Sequence, residues 1–212
     1  MKKFLLLCLV LLGFQNAQAA PNLSKSVTEI VTEPDPFAQG QYEFGATAGY
    51  LVSPVFAKKG RPKLNYAQVD LSLGMMLTSP APLFGKNCLR GNWEALVNVC
   101  GMKVVSGPDG FLAGGRLLLR YNFVQPEARW VPFCQIGAGI LGDDVYENRD
   151  QRLIGSGLEF TLVADAGLRY FINRCWAAIL MADFEHISNA NTASRNVGVN
   201  AAGGMLGLGY FF

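Results

Sequence analysis

The chain's one histidine, His186, stands two residues before Ser188 in the stretch Phe184-Glu185-His186-Ile187-Ser188-Asn189-Ala190. A serine hydroxyl is a weak nucleophile until a neighbouring base takes its proton, so a Ser–His pair is the least equipment that attacks an ester. On an extended strand side chains alternate, and a spacing of two puts both groups on one face. Upstream, that face carries Trp176, Ala178, Leu180, Ala182 and Phe184, while the other carries Asp183 and Glu185. A histidine and a serine closing an apolar row cost desolvation with no structural return. A histidine alone there would read as an interfacial side chain reaching for water. Joined by Ser188, and by Asn200 at the parity of Leu206, Leu208, Tyr210 and Phe212, it reads instead as a site for hydrolysing an acyl ester that arrives from an apolar medium.

Such a face needs a barrel behind it. Met1-Lys2-Lys3, the apolar run to Phe14 and Ala17-Gln18-Ala19 form a secretory signal at residues 1–19, too short to span a bilayer comfortably as a helix. Cleavage after Ala19 leaves 193 residues, enough for one domain or one small barrel. Only 16% of residues are charged, Gly numbers 24, and the mean hydropathy is +0.22, apolar for an exported water-soluble protein. No later window offers the roughly 18 to 20 apolar residues of a membrane helix. An apolar chain without such helices points to strands that cross the membrane.

Period-2 alternation recurs along the chain. Ala67, Val69, Leu71, Leu73, Met75 and Leu77 share one face, and Gln68, Asp70, Ser72 and Thr78 the other. Strands are expected at about 41–53, 65–78, 91–104, 114–123, 130–141, 158–171, 175–188 and 198–212, the fifth being the least patterned. The reading is an all-β, eight-stranded antiparallel transmembrane barrel over residues 41–212, preceded by a periplasmic segment at 20–40. With the start in the periplasm, 54–64, 105–113, 142–157 and 189–197 become surface loops, and 124–129 and 172–174 inner turns. Residues 79–90, with Pro80, Pro82 and Cys88, are longer than such a turn needs. The alternating end Leu206 to Phe212, finishing on an aromatic residue, resembles the assembly signal of outer-membrane barrels. Inward-facing Asp70, Glu94, Arg116, Arg120, Asp165 and Arg169 suit an ion-pair network in a lumen too narrow for a channel.

Without Lys2 and Lys3 the 16 basic residues equal the 16 acidic ones, which argues against nucleic acid as a partner. Cys88, Cys100, Cys134 and Cys175 have three possible pairings as two disulfides and match no zinc motif. Asp143, Asp144, Glu147 and Asp150 are irregularly spaced for a divalent-cation site.

The His-x-Ser-Asn-Ala stretch at 186–190, followed by Asn196-x-Gly198 and a last strand ending in an aromatic, resembles the lipid A 3-O-deacylases of the PagL family. The resemblance is strongest over residues 176–212. It implies an outer-membrane serine esterase with lipid A or lipopolysaccharide as its membrane-embedded substrate and an active site facing the outer leaflet. It assigns Ser188 as nucleophile, His186 as general base and Asn189 to the oxyanion hole. No cofactor and no metal are implied, and a homodimer stays open. The family's third catalytic residue is a Glu; the matching position here is Asn200, whose amide oxygen can orient His186 but adds no charge. Lys58, Lys59, Arg61, Lys63 and Arg195 would then meet the substrate's phosphates. The rival expectation is a non-enzymatic small barrel with a structural or adhesive role; a soluble exported β-sandwich or lipocalin-like barrel is a third.

Overall fold

The computed structural model describes residues 35–53 and 63–212. The expected signal peptide, most of the segment before the barrel, and Lys58, Lys59 and Arg61 lie outside the described residues. The strands are β1 Tyr42–Val52, β2 Asn65–Met76, β3 Ala81–Leu83, β4 Lys86–Ser106, β5 Phe111–Asn122, β6 Trp130–Asp143, β7 Leu158–Phe171, β8 Trp176–Ser188 and β9 Val199–Phe211. Every long strand pairs antiparallel with its long neighbours in sequence, β2 with β4 across the short β3, and β1 closes the sheet on β9. The result is a closed barrel of eight strands.

β3 accounts for the surplus at 79–90. It pairs back on an extension of β4, Ala81 opposite Gly91 and Leu83 opposite Lys86. Phe84 and Gly85, both at positive φ (50° and 70°), form the two-residue turn that suits the twist of a tight hairpin. Tyr121 Oη donates to Leu89 O at 2.7 Å, and an Arg90 guanidinium N–H donates to Val124 O at 2.7 Å, pinning the hairpin beside the barrel's edge.

Alternation sorts the two faces as the sequence implies. In β2, Val69, Leu71 and Leu73 are exposed on the outer wall while Gln68 and Asp70 are buried inside. β6 has a weaker pattern because its inward positions 137 and 139 are glycines: a Cβ there would collide with Leu118 and Arg116, which fill the lumen from β5. Outward-facing aromatic pairs ring the end that carries the short turns, among them Trp130–Tyr170 at 4.5 Å, Trp176–Tyr210 at 4.9 Å and Trp93–Tyr121 at 4.9 Å. Such a belt belongs at a membrane interface, where the rings have one apolar and one wet side.

The lumen is packed, with a cavity of only about 20 Å3 between Asp70, Arg116, Arg120 and Asp165, room for about one water. Two polar networks fill it. In one, Arg120 and Arg169 pair with Glu94 at 3.3 Å each and with Glu43, and both guanidinium groups stack on Phe133. In the other, Arg116 pairs with Glu185 at 2.5 Å and with Asp70 at 3.7 Å, and the hydroxyls of Tyr66 and Thr161 donate to Glu185. Asp165 bonds Gln135 at 2.6 Å rather than a cation. Apolar plugs close both ends: Phe37, Phe171 and Phe211 at the short-turn end, Leu64, Met102, Leu112, Leu153 and Ile154 at the other. Cys100 is a free thiol enclosed in the lumen, which rules out a framework of two disulfides.

Arg169 is wholly buried and holds two carboxylates. Removing one partner of such a network strands charges without water. Arg169→Met is therefore expected to lower the unfolding free energy by about 3–5 kcal/mol, read from urea unfolding of the barrel in phospholipid vesicles. A loss no larger than that of an exposed ion pair would mean the network is hydrated.

Candidate functional site

β8 delivers His186 and Ser188 to the loop-rich end of the outer wall, with Glu185 and Ile187 between and beyond them turned into the lumen. β9 runs back alongside, and its register sets Asn200 directly opposite His186. On the other flank, β7 places Leu162 opposite His186 and Phe160 opposite Ser188, both exposed and apolar. His186, Ser188 and Asn200 are half-buried. They are thus open to the barrel's surroundings and closed to its lumen.

The three side chains are in hydrogen-bond contact. His186 Nδ1 lies 2.7 Å from Asn200 Oδ1, and His186 Nε2 lies 3.2 Å from Ser188 Oγ. An amide oxygen only accepts, so Nδ1 carries the proton and Nε2 presents its lone pair to the serine hydroxyl. That is the tautomer a general base for Ser188 needs. Glu185 and Asp183, the nearby carboxylates, face inward. Glu185 is spent on Arg116, Tyr66 and Thr161, so Asn200 alone meets the imidazole Nδ1.

Residues 189–198 fold over the end of this row. Ala190 and Asn191 adopt positive φ (51° and 64°), reversing the chain directly after Ser188-Asn189. Asn196 holds that reversal from both sides, its Oδ1 accepting the Asn189 N–H at 3.1 Å and its Nδ2 donating to Asn191 Oδ1 at 2.9 Å. Gly198, at φ 72°, returns the chain against the pair: a Cβ there would stand 3.6 Å from His186 Cε1 and 3.7 Å from Ser188 Cβ. Only glycine takes that conformation without cost.

Two sequence expectations need correction. Asn189 follows Ser188 on an extended chain, so its side chain points the opposite way, into the barrel rim. There its amide donates to Arg195 O at 2.9 Å and, more weakly, to Glu159 at 3.5 Å, leaving it no approach to the serine's face. Arg195 is likewise engaged: its guanidinium donates to the backbone carbonyls of Tyr146 (2.6 Å), Asn148 (3.0 Å) and Gln151 (3.2 Å). Of the basic residues expected to meet phosphate, Lys63 is described and exposed. The acidic loop residues Asp143 and Asp144 cap backbone N–H groups of Tyr146 and Phe111, and no group of three metal-ligating side chains occurs among the described residues. Sequence reading missed Gly198 and Asn196 as parts of the site's frame, although both stood inside the motif.

A family model described as lipid A 3-O-deacylase (PagL) matches residues 89–209, more than half of the chain and all of β5 to β8 with the site. Among solved structures, Neisserial surface protein A superposes with a TM-score of 0.57 at 14% identity, over 82% of this chain and 98% of that one. The outer membrane enzyme PagL superposes with a TM-score of 0.51 at 17% identity, over 78% of this chain and 97% of that one. At these identities the two likenesses show the barrel fold. Comparison with curated proteins returned no match.

Proposed function

Because the chain belongs to the lipid A 3-O-deacylase (PagL) family and folds as an outer-membrane barrel, we propose that it is a serine esterase that removes the 3-O-linked acyl chain of lipid A. The contact series Ser188–His186–Asn200 on the outward face carries this reading. Placing these polar groups on a surface that contacts hydrocarbon is unfavourable. The chemistry of a membrane-dissolved ester accounts for it.

The loop-rich end is assigned to the cell exterior and the short turns to the periplasm, the usual arrangement of such barrels. The site then meets the outer leaflet, where an acyl ester slides along Phe160, Leu162 and Leu206 to reach Ser188 without entering the lumen. His186 Nε2 takes the hydroxyl proton as Ser188 Oγ attacks the ester carbonyl. The tetrahedral intermediate collapses when the imidazolium returns that proton to the departing sugar oxygen. Water, deprotonated by the same nitrogen, then splits the acyl-serine and frees the fatty acid.

The developing oxyanion needs donors other than the Asn189 amide. The positive-φ reversal at Ala190-Asn191 begins two residues after the nucleophile, and its backbone N–H groups can serve as donors to an oxyanion. Those N–H groups are assigned the role, with Asn196 holding the turn. In place of Arg195, Lys63 and the undescribed Lys58, Lys59 and Arg61 stay as headgroup contacts.

Mass spectrometry of lipid A from cells that express the barrel, beside cells that lack it, tests the proposal. The expected result is loss of one 3-hydroxyacyl mass. Unchanged lipid A at full outer-membrane abundance would leave a non-enzymatic barrel, the role that the missing carboxylate at position 200 otherwise favours.

A further inference from the structure

Resting on the esterase reading above, we infer that Arg195 is a positioning residue: it fastens the turn that follows Ser188 to a fixed loop, and it is not a headgroup contact. The observations are geometric. One Arg195 guanidinium N–H group donates to Asn148 O and Gln151 O, and a second donates to Tyr146 O at 2.6 Å. Three carbonyls from residues 146–151 are thereby gathered by one planar cation whose fork matches them. The loop they belong to is itself anchored. Leu153 and Ile154 are buried in the apolar plug, and the buried Gln151 amide bonds the backbone of Val145, Leu153 and Ile154.

Residues 195–198 lie along this strut. The Val197 N–H donates to Arg152 O at 3.1 Å and the Gly198 N–H to Leu153 O at 3.0 Å. Gly155 is packed against Arg195 so closely that a Cβ would fall 2.0 Å from its carbonyl oxygen. That same carbonyl accepts the Asn189 amide at 2.9 Å, one residue from Ser188. A displaced Arg195 therefore moves the nucleophile's neighbour, the Ala190-Asn191 reversal and the Gly198 backbone against His186 together. Shifts of about 1 Å in such a frame cost on the order of 100-fold in rate.

The test compares wild type with Arg195→Ala, Arg195→Lys and Gly155→Ala, purified in detergent micelles, on lipid A and on a phosphate-free p-nitrophenyl ester. For Arg195→Ala, kcat is expected to fall roughly 10- to 100-fold on both substrates, with KM within about twofold. Lysine, a point charge on a flexible stem, should not restore it, whereas added guanidinium ion should restore part. Gly155→Ala reaches the same frame from the other side and should show the same split. Hydrogen exchange is expected to quicken at the amides of residues 145–155 and 189–198 in these variants and to stay unchanged in the strands. A rise in KM for lipid A alone, with the chromogenic ester hydrolysed at the wild-type rate, would make Arg195 a phosphate contact and overturn the inference. Wild-type kinetics on both substrates would overturn it equally. Failure of the esterase reading looks different: wild type itself would leave both esters intact, while hydrogen exchange would still decide whether the clamp exists.

Discussion

Ser188→Ala and His186→Ala are each expected to reduce deacylation by about 10³–10⁴-fold, and the double variant no further. A full triad with a carboxylate loses about 10⁶ when its serine or histidine is removed, and its members act as a unit. Here Asn200 supplies orientation without charge, so part of that factor is already forgone. The known replacement of the carboxylate by an amide costs about 10⁴, chiefly because it sets the wrong tautomer. In this barrel the amide oxygen accepts from Nδ1, so the tautomer is right and the forgone part is smaller, on the order of 10²–10³. Steady-state kinetics on a chromogenic ester in micelles measure the loss. Additive losses in the double variant would mean that Ser188 and His186 act separately, against the contact at 3.2 Å.

A carboxylate at position 200 has the opposite effect. Asn200→Asp should raise kcat by about 10²–10³-fold, because a carboxylate of the same length keeps the 2.7 Å contact and stabilises the imidazolium formed as Ser188 attacks. Asn200→Glu, the family's residue type, should raise it too, though its longer side chain must bend to reach Nδ1. In the Asn200→Asp background the Ser188→Ala loss should widen to about 10⁶, since the restored charge is useful only while the nucleophile is present. An unchanged kcat in both variants would show that proton transfer through His186 does not limit turnover.

Much of this was legible along the chain because it depends on local parity. Alternation is a property of neighbouring residues, so the outward row from Trp176 to Ser188, the inward Asp70 and Glu94, and all eight long strands could be placed from spacing, β6 on the weakest pattern. The sharing of a face by His186 and Ser188 follows from the same rule. β6 was the weakest segment because its inward positions are glycines that make room for Leu118 and Arg116, a demand set by another strand. The hairpin of β3 was invisible because Pro80 and Pro82 masked a segment that pairs only with an overlong β4.

Other features depended on partners far off in sequence. Arg195 looked like a free cation because its acceptors lie 44 to 49 residues upstream, on a loop whose position depends on Leu153 and Ile154 reaching the plug. Glu43 entered the lumen network only when β1 closed against β9, and Glu185 was committed to Arg116 across the barrel. Asn189 was assigned by motif to a face that alternation denies it. By itself, then, the sequence determined a membrane barrel with a serine and a histidine on its outer wall, since a period of two needs only neighbours. That Asn200 stands directly opposite His186, within hydrogen-bond reach of Nδ1, and that Arg195 holds a loop rather than a phosphate, was decided by the tertiary structure, because register and loop docking are set when the sheet closes and buried polar groups must find partners.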